Sequence, residues 1–215
     1  KTGTLTEGRP VVQRVATLAP REENDVLGRA AALEKLSEHP LAHALVTAAL
    51  ERGLELPAVE EFNAVTGAGV SGRIAGETVR VGKRRWLEEL GLVIPEGLLE
   101  SAEALQENAH TVVWVAGESM VEGFVAVVDP IKASAPEAMR ALRKLGIKIV
   151  MLTGDNRKVA EAVGRKLGIT EIHAELSPAD KLALAKAMRF QGDVVAMTGD
   201  GINDAPALAE ADVGI

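Results

Sequence analysis

The 215-residue sequence contains no cysteine, which excludes disulfide bonds and thiolate metal sites and suits a reducing compartment. Aromatic residues make up only 2% of the chain, so we expect no platform of side chains that stack on nucleic-acid bases. No run of 18 apolar residues occurs, and we expect a soluble protein without a membrane-spanning helix. No signal peptide is visible, and the abrupt start and end favour a segment of a longer protein.

Basic residues are also scarce relative to acidic ones. The chain has 24 lysines and arginines against 31 acidic residues, which gives a formal net charge of -7. An acidic surface repels polyanions, so nucleic acid is not an expected partner. The hydrophobic fraction of 47% is enough for one large or two modest globular domains.

The two halves of the sequence have different patterns. From Ala126 onward, apolar strand-like runs alternate with amphipathic helices, which predicts a parallel sheet flanked by helices. The predicted strands cover 147–152, 172–175 and 194–197, and the predicted helices cover 136–145, 157–167, 178–189 and 205–210.

The region before Ala126 favours hairpins. Its predicted strands cover 70–74, 78–81, 111–115 and 121–128, and its predicted helices cover 24–36, 41–52 and 98–108. Short strands joined by tight turns are typical of an antiparallel sheet. The sequence therefore predicts an α/β fold: an antiparallel α+β domain, residues 16–125, is inserted into a parallel-sheet domain built from residues 1–15 and 126–215.

Two short polar segments follow predicted strands of the parallel-sheet domain. Thr153 and Gly154 lie at the carboxyl end of a strand and before a helix, which is a favourable place for an anion. Asp155 either joins that site or caps the following helix, and for this residue alone we favour the cap.

The second segment, 198–204, holds Asp200 beside two glycines and Asp204 four residues later. Hard oxygen ligands on a tight loop suit Mg²⁺, so we predict Asp200 as a metal ligand. Asp204 is also placed to cap the helix that begins at Ala205.

Lys181 lies between these segments, in the first turn of a helix that Ser177 and Pro178 begin. A cation there opposes the helix dipole. The side chain is therefore either simply solvated or held near an anion.

Together with Lys1–Thr4 at the start, these segments resemble the core of the haloacid dehalogenase superfamily as P-type ATPases carry it. The resemblance implies that Thr153 and Gly154 hold phosphoryl oxygens, that Lys181 neutralises them and that Lys1 lies beside an acyl phosphate. It implies Mg²⁺ at Asp200 and at the carbonyl of Thr2, with Asp204 in support. The phosphorylated aspartate would stand immediately before Lys1, so we expect the sequence as given not to be phosphorylated. The segment 129–132 is similar to the family's second junction between domains.

The inserted region resembles the nucleotide-binding domain of heavy-metal-transporting P-type ATPases. The resemblance is carried by Glu34, the Ser-Glu-His-Pro segment 37–40, Gly67 and Gly69. It implies that Glu34 and His39 contact adenine, and that Gly67, Gly69 and Gly82 let the backbone approach the nucleotide. Family members often have asparagine after the last of these glycines, where this chain has Lys83.

Two other patterns in this region are rejected. Residues 67–72 fit G-x-G-x-x-G, but a hairpin rather than a helix follows, so no dinucleotide fold is predicted. His39 and His43 are four apart, but no cysteine or further histidine is close in sequence.

The resemblance implies the ATP-binding and phosphorylation unit of a membrane ATPase that pumps a heavy-metal ion, with copper(I) favoured by the Ser-Glu-His-Pro segment. The cofactors would be ATP and Mg²⁺. The partners would be the membrane helices and actuator domain of the same transporter and a soluble metal chaperone, at the cytoplasmic face of a membrane. The alternatives are a free-standing phosphatase of the same superfamily and a non-catalytic nucleotide-sensing module.

Overall fold

A computed structural model of the chain describes residues 1–37, 40–199 and 204–215. The chain forms two compact units, Lys1–Arg9 with Asp129–Ile215, called here the discontinuous unit, and Pro10–Val128, called the inserted unit. These boundaries replace the predicted ones at 15/16 and 125/126. The reason is a strand that the sequence reading missed, Val11–Thr17, which pairs along its length with Val121–Val128 and so belongs to the inserted unit.

The inserted unit is built on an antiparallel six-stranded sheet. Its strands in chain order are β1 (Val11–Thr17), β2 (Glu60–Val65), β3 (Gly69–Ile74), β4 (Glu77–Gly82), β5 (Thr111–Ala116) and β6 (Val121–Val128). Their order across the sheet is β1-β6-β5-β4-β3-β2. The predicted hairpins β3–β4 and β5–β6 are confirmed by their registers.

Helices cover both faces of this sheet: α1 (Glu23–Glu34), α2 (Pro40–Glu51), α3 (Arg84–Glu89) and α4 (Glu96–Gln106). Side chains alternate in direction along a strand, and β5 buries side chains on both faces of the sheet. Val113 and Val115 join the core under α1 and α2, whereas Trp114 joins the core under α3 and α4. The Trp114 ring meets Phe124 edge-on, with 5.4 Å between ring centroids.

The discontinuous unit alternates helices with short strands, as predicted. Its elements are α5 (Ala135–Lys144), β7 (Val150–Leu152), α6 (Arg157–Leu167), β8 (Glu171–His173), α7 (Pro178–Phe190), β9 (Ala196–Met197), α8 (Ala205–Glu210) and β10 (Val213–Gly214). β7 pairs with β8 and β9 with β10, both in parallel. The α/β class is confirmed, but among the described residues the parallel strands form two separate pairs rather than one sheet. Each of these strands is only two or three residues long.

The two segments that flank the inserted unit are bound to each other within the discontinuous unit. The Thr6 hydroxyl donates a hydrogen bond to Asp129 Oδ2 at 2.5 Å, and the Lys132 ammonium donates to the Gly3 carbonyl at 2.6 Å. Thr6 also forms an antiparallel bridge with Ile131. The segment 129–132, which the sequence marked only as a junction, thus holds the turn that follows Lys1. Across the described ranges, no helix has both the length and the apolar character needed to cross a bilayer.

Candidate functional site

Lys1, Thr153 and Asp155 meet at the carboxyl end of β7. The Lys1 ammonium lies 2.7 Å from Asp155 Oδ2. The Thr153 hydroxyl donates to the same oxygen at 2.7 Å, and the Asp155 backbone amide donates to Thr153 Oγ1 at 3.1 Å. Because the Lys1 side chain is only 5% exposed and Thr153 is buried, this arrangement is largely shielded from water.

The environment keeps Asp155 ionised. Burial alone would raise the pKa of this carboxyl, but the charge and hydrogen bond of Lys1, with the Thr153 hydroxyl, outweigh burial and lower the pKa below its usual value. The prediction that Asp155 caps α6 is wrong, because its carboxylate is engaged by Lys1. Asn156 is the cap instead, and its side-chain oxygen accepts from the Lys158 amide at 2.9 Å.

A second ion pair joins Lys181 to Asp204. Their side chains are 13% and 7% exposed, and Lys181 Nζ lies 2.7 Å from Asp204 Oδ1. As predicted, Ser177 caps α7 by accepting from the Asp180 amide, which puts Lys181 in the first helical turn. The sequence left open whether this lysine is solvated, and the structure shows it held by an anion.

Asp204 occupies the N-cap position of α8 without capping it, so the predicted cap is wrong. Its carboxylate turns to Lys181 instead. A Cβ atom at Gly199 would lie 2.6 Å from Asp204 Cβ and 2.7 Å from Oδ2, which is closer than real Cβ contacts. Glycine at position 199 is therefore required for Asp204 to reach Lys181.

The α-nitrogen of Lys1 lies near both ion pairs. The pKa of its α-amino group is lowered first by burial and next by the positive charge of Lys181, while Asp204 and Asp155 act in the opposite direction. The nitrogen is therefore close enough to both pairs to feel their charges. We call Lys1, Thr153, Asp155, Lys181 and Asp204 the lysine–aspartate cluster. Chemically, it offers two ammonium groups and a hydroxyl to an anion that displaces the Asp155 carboxylate.

The predicted magnesium ligands are only partly described. Asp200 lies outside the described residues, and the metal role of Asp204 and Thr2 stays a prediction. Thr2 belongs to a turn in which the carbonyl of Lys1 accepts hydrogen bonds from the amides of residues 4–6. Within the described part of the chain, no three acidic or histidine side chains are grouped as they would be around a metal ion.

In the inserted unit, Gly69 and Gly82 lie opposite each other across β3 and β4. A Cβ at Gly69 would lie 2.4 Å from the Val81 carbonyl oxygen and 2.7 Å from the Trp86 ring, and a Cβ at Gly82 would be 2.9 Å from that ring. Trp86, which the sequence reading passed over, therefore covers the two glycines. Their first role is close strand packing, and their predicted nucleotide contact stays a prediction.

We expect Gly69→Ala to lower the free energy of unfolding by about 1–3 kcal/mol, because the added methyl group overlaps backbone and ring atoms. The matched control is Gly28→Ala inside α1, where a Cβ would meet nothing within 4 Å. That change should stabilise the chain by about 0.5–1 kcal/mol. Denaturant unfolding of both variants checks the pair. Equal effects would show that Trp86 does not restrict position 69.

The other predicted nucleotide residues differ in exposure. Gly67 lies in an exposed turn with φ +74°, where nothing is within 4 Å of a Cβ position and where a backbone with no side chain remains accessible. Glu34 is the last residue of α1 and is only 8% exposed. Gly154 and Lys83 are exposed, and His39 lies outside the described residues.

Comparison with known proteins agrees with this geometry. Residues 1–212 match the haloacid dehalogenase-like hydrolase family. A silver-exporting P-type ATPase of Salmonella typhimurium is 49% identical over all 215 residues, which cover 26% of that protein. Copper-transporting ATPase 2 of Rhizobium meliloti is 47% identical over the same length, again 26% of that protein. The chain thus spans about a quarter of the length of these curated relatives.

Solved structures of transport ATPases have the same fold. The catalytic CPx-ATPase domain CopB-B has a TM-score of 0.72 at 30% identity, over 99% of this chain and 73% of that one. A zinc-transporting PIB-type ATPase in its E2.Pi state has a TM-score of 0.65 at 37% identity, over 98% of this chain and 34% of that one. The chain therefore belongs to the haloacid dehalogenase-like hydrolases and, within them, to the catalytic regions of heavy-metal P-type ATPases.

Proposed function

We propose that this chain is the ATP-binding and phosphorylation unit of a membrane ATPase that forms an aspartyl phosphate and pumps a heavy-metal ion, copper(I) in particular. The observation that carries the proposal is the lysine–aspartate cluster, in which the Lys1 ammonium and the Thr153 hydroxyl meet where β7 ends and a second buried ammonium group, that of Lys181, is held by Asp204. Phosphoryl transfer depends mainly on positioning and on neutralising the charge of the phosphate oxygens. A cluster of this composition supplies both.

Each member has a role in the transfer. Lys181 neutralises phosphoryl oxygens, and Asp204 is a positioning residue that holds Lys181. Thr153 and Gly154 contact the phosphoryl group through a hydroxyl and a backbone amide. In the structure the Thr153 hydroxyl is bonded to Asp155, so an incoming phosphoryl group must take over this donor and compete for Lys1 as well.

The acceptor is an aspartate attached to the α-nitrogen of Lys1. That nitrogen is buried and close to the charges of Lys181, Asp204 and Asp155, so a carboxylate one residue earlier would reach the same cluster. Mg²⁺ fits the oxygen donors of Asp200 and of the Thr2 carbonyl, and when bound it supplies positive charge beside the phosphate. Asp204 Oδ1 remains the partner of Lys181.

ATP is the nucleotide, and its adenine binds to the inserted unit at Glu34, His39 and the Gly67 turn. The partners are the membrane helices and actuator domain of the parent transporter, with a soluble metal chaperone delivering the ion. Copper(I) is preferred because several relatives that cover this whole chain at 44–47% identity are named as copper transporters.

Calorimetry of the full chain with Mg·ATP tests the nucleotide assignment. We expect binding in the micromolar-to-millimolar range. Glu34→Ala and His39→Gln should each weaken binding by about tenfold or more, since each removes a contact worth at least 1.4 kcal/mol. The matched control is Glu51→Gln, which changes the exposed last residue of α2 and should leave the affinity unaltered. Unchanged affinity in both site variants would rule out this adenine site.

A further inference from the structure

Glu34 is a buried carboxyl group with unused hydrogen-bonding capacity. Its Oε2 atom is buried and makes no hydrogen bond with the described residues. Ser37 supplies a hydrogen bond to the carboxyl group, and its backbone amide donates to the Glu34 carbonyl at 2.8 Å. One buried carboxyl oxygen thus has no hydrogen-bond partner among the described residues.

The surroundings of Glu34 disfavour a negative charge. The residue ends α1, where the exposed carbonyl groups of the helix carry a partial negative charge. Burial raises the pKa of this carboxyl, and the Ser37 hydrogen bond offsets that only in part.

The described charged groups on neighbouring elements do not offset the effect of burial on the Glu34 carboxyl. α1 packs against α2 and against strands β1, β3, β4, β5 and β6. The described ionisable side chains of these elements are Glu23, Asp25, Arg29, His43, Glu51, Arg14, Arg73, Glu77, Arg80 and Glu122. None of them contributes to the shift at Glu34. Within α1 the cation Arg29 is paired with Glu77 and Glu122, and Lys35, which follows Glu34, is exposed.

We infer that Glu34 binds the adenine base as a neutral carboxylic acid, and that its proton sets the preference of the site for adenine over guanine. The inference rests on the proposed nucleotide site and adds the protonation state and the basis of selectivity. It assigns Oε2 as the group that meets the base.

The hydrogen-bonding pattern of the base explains the preference. Adenine presents an amine donor flanked by acceptor ring nitrogens. A neutral carboxylic acid matches this pair, because its carbonyl accepts from the amine and its O–H donates to a ring nitrogen. An ionised carboxylate has only acceptors, so one oxygen would face a ring-nitrogen lone pair. Guanine carries two adjacent donors, N1–H and the N2 amine, which suit the ionised form.

Calorimetric titration of the full chain with Mg·ATP and Mg·GTP tests this inference, over a range around neutrality from about pH 5.5 to about pH 8.5. The ratio of ATP to GTP affinity should fall as pH rises, by about tenfold for each unit between the pKa of Glu34 in the GTP complex and its higher pKa in the ATP complex. Glu34→Gln keeps one donor and one acceptor in the same shape. It should retain ATP binding and lose the pH dependence, whereas Glu51→Gln should behave as the unsubstituted chain.

Infrared difference spectra of the ATP complex at pH 6 give a second readout, because a neutral acid has a carboxylic C=O stretch that Glu34→Gln must remove. Loss of ATP binding in Glu34→Gln, or absence of this band, would overturn the inference. A pH dependence that survives in Glu34→Gln and disappears in His39→Gln would also overturn it. Full ATP binding by Glu34→Ala would overturn it as well, and full ATP binding by both Glu34→Ala and His39→Gln would overturn the nucleotide site itself.

Discussion

Replacing Lys181 with methionine is expected to lower the free energy of unfolding of the discontinuous unit by about 3 kcal/mol, which corresponds to a drop in melting temperature on the order of 10 °C. The reason is the carboxylate that remains. Asp204 is 7% exposed and its Oδ1 lies 2.7 Å from Lys181 Nζ, so removing the lysine leaves a buried charge without its counter-ion. Methionine fills similar space, which limits the effect of lost packing.

Three further variants isolate this charge effect in thermal melts. Asp204→Asn should cost less, because a long lysine side chain can extend to solvent when its partner is removed. The double variant with Lys181→Met and Asp204→Asn should recover stability relative to Lys181→Met. Lys186→Met lies on the same helix, at a side chain that is 58% exposed, and should cost less than about 0.5 kcal/mol. If Lys181→Met were as mild as Lys186→Met, the buried pair would not exist in solution.

The sequence predicted elements best where the local pattern was sufficient. The hairpin turn before Glu77, and the apolar runs of β5 and β6 joined by a turn at Gly117, are local signals, and both hairpins are found. Ser177 and Pro178 likewise mark the start of α7 without help from distant residues. The placement of Lys181 in the first turn of that helix followed from the same local pattern.

Side-chain partners were harder to predict, because they come from distant parts of the chain. The side chains of Asp155 and Asn156 can both cap α6. Lys1, the first residue of the chain, binds the Asp155 carboxylate, so Asn156 forms the cap. Asp204 stands at the N-cap position of α8, but its carboxylate binds Lys181 instead. In both cases a long-range ion pair prevailed over a local cap.

The glycines of the inserted unit show another limit of sequence reading. Gly69 and Gly82 stood out because backbone without side chains can approach a ligand. Only the structure shows that they face each other across two strands and are covered by Trp86. Similarly, the boundary of the inserted unit could not be placed at Pro10 until β1 was seen to pair with β6. Strand pairing between segments so far apart has no local signal.

We expect the cluster around Lys1 to accept a phosphoryl group on an aspartate attached to the α-nitrogen of Lys1. Three chains separate this claim from simple nucleotide binding: the 215-residue chain, the same chain preceded by aspartate, and a matched chain preceded by asparagine. Only the aspartate-extended chain carries a carboxylate on the residue before Lys1, and threonine hydroxyls and lysine amines are poor substitutes in forming an acyl phosphate.

The deciding measurement is incubation of these chains with Mg·ATP labelled at the γ-phosphate, followed by acid precipitation and treatment with hydroxylamine. We expect an acid-stable, hydroxylamine-labile label on the aspartate-extended chain and none on the other two. Label on a carboxyl group of the 215-residue chain would contradict it, as would an aspartate-extended chain that binds ATP and remains unlabelled.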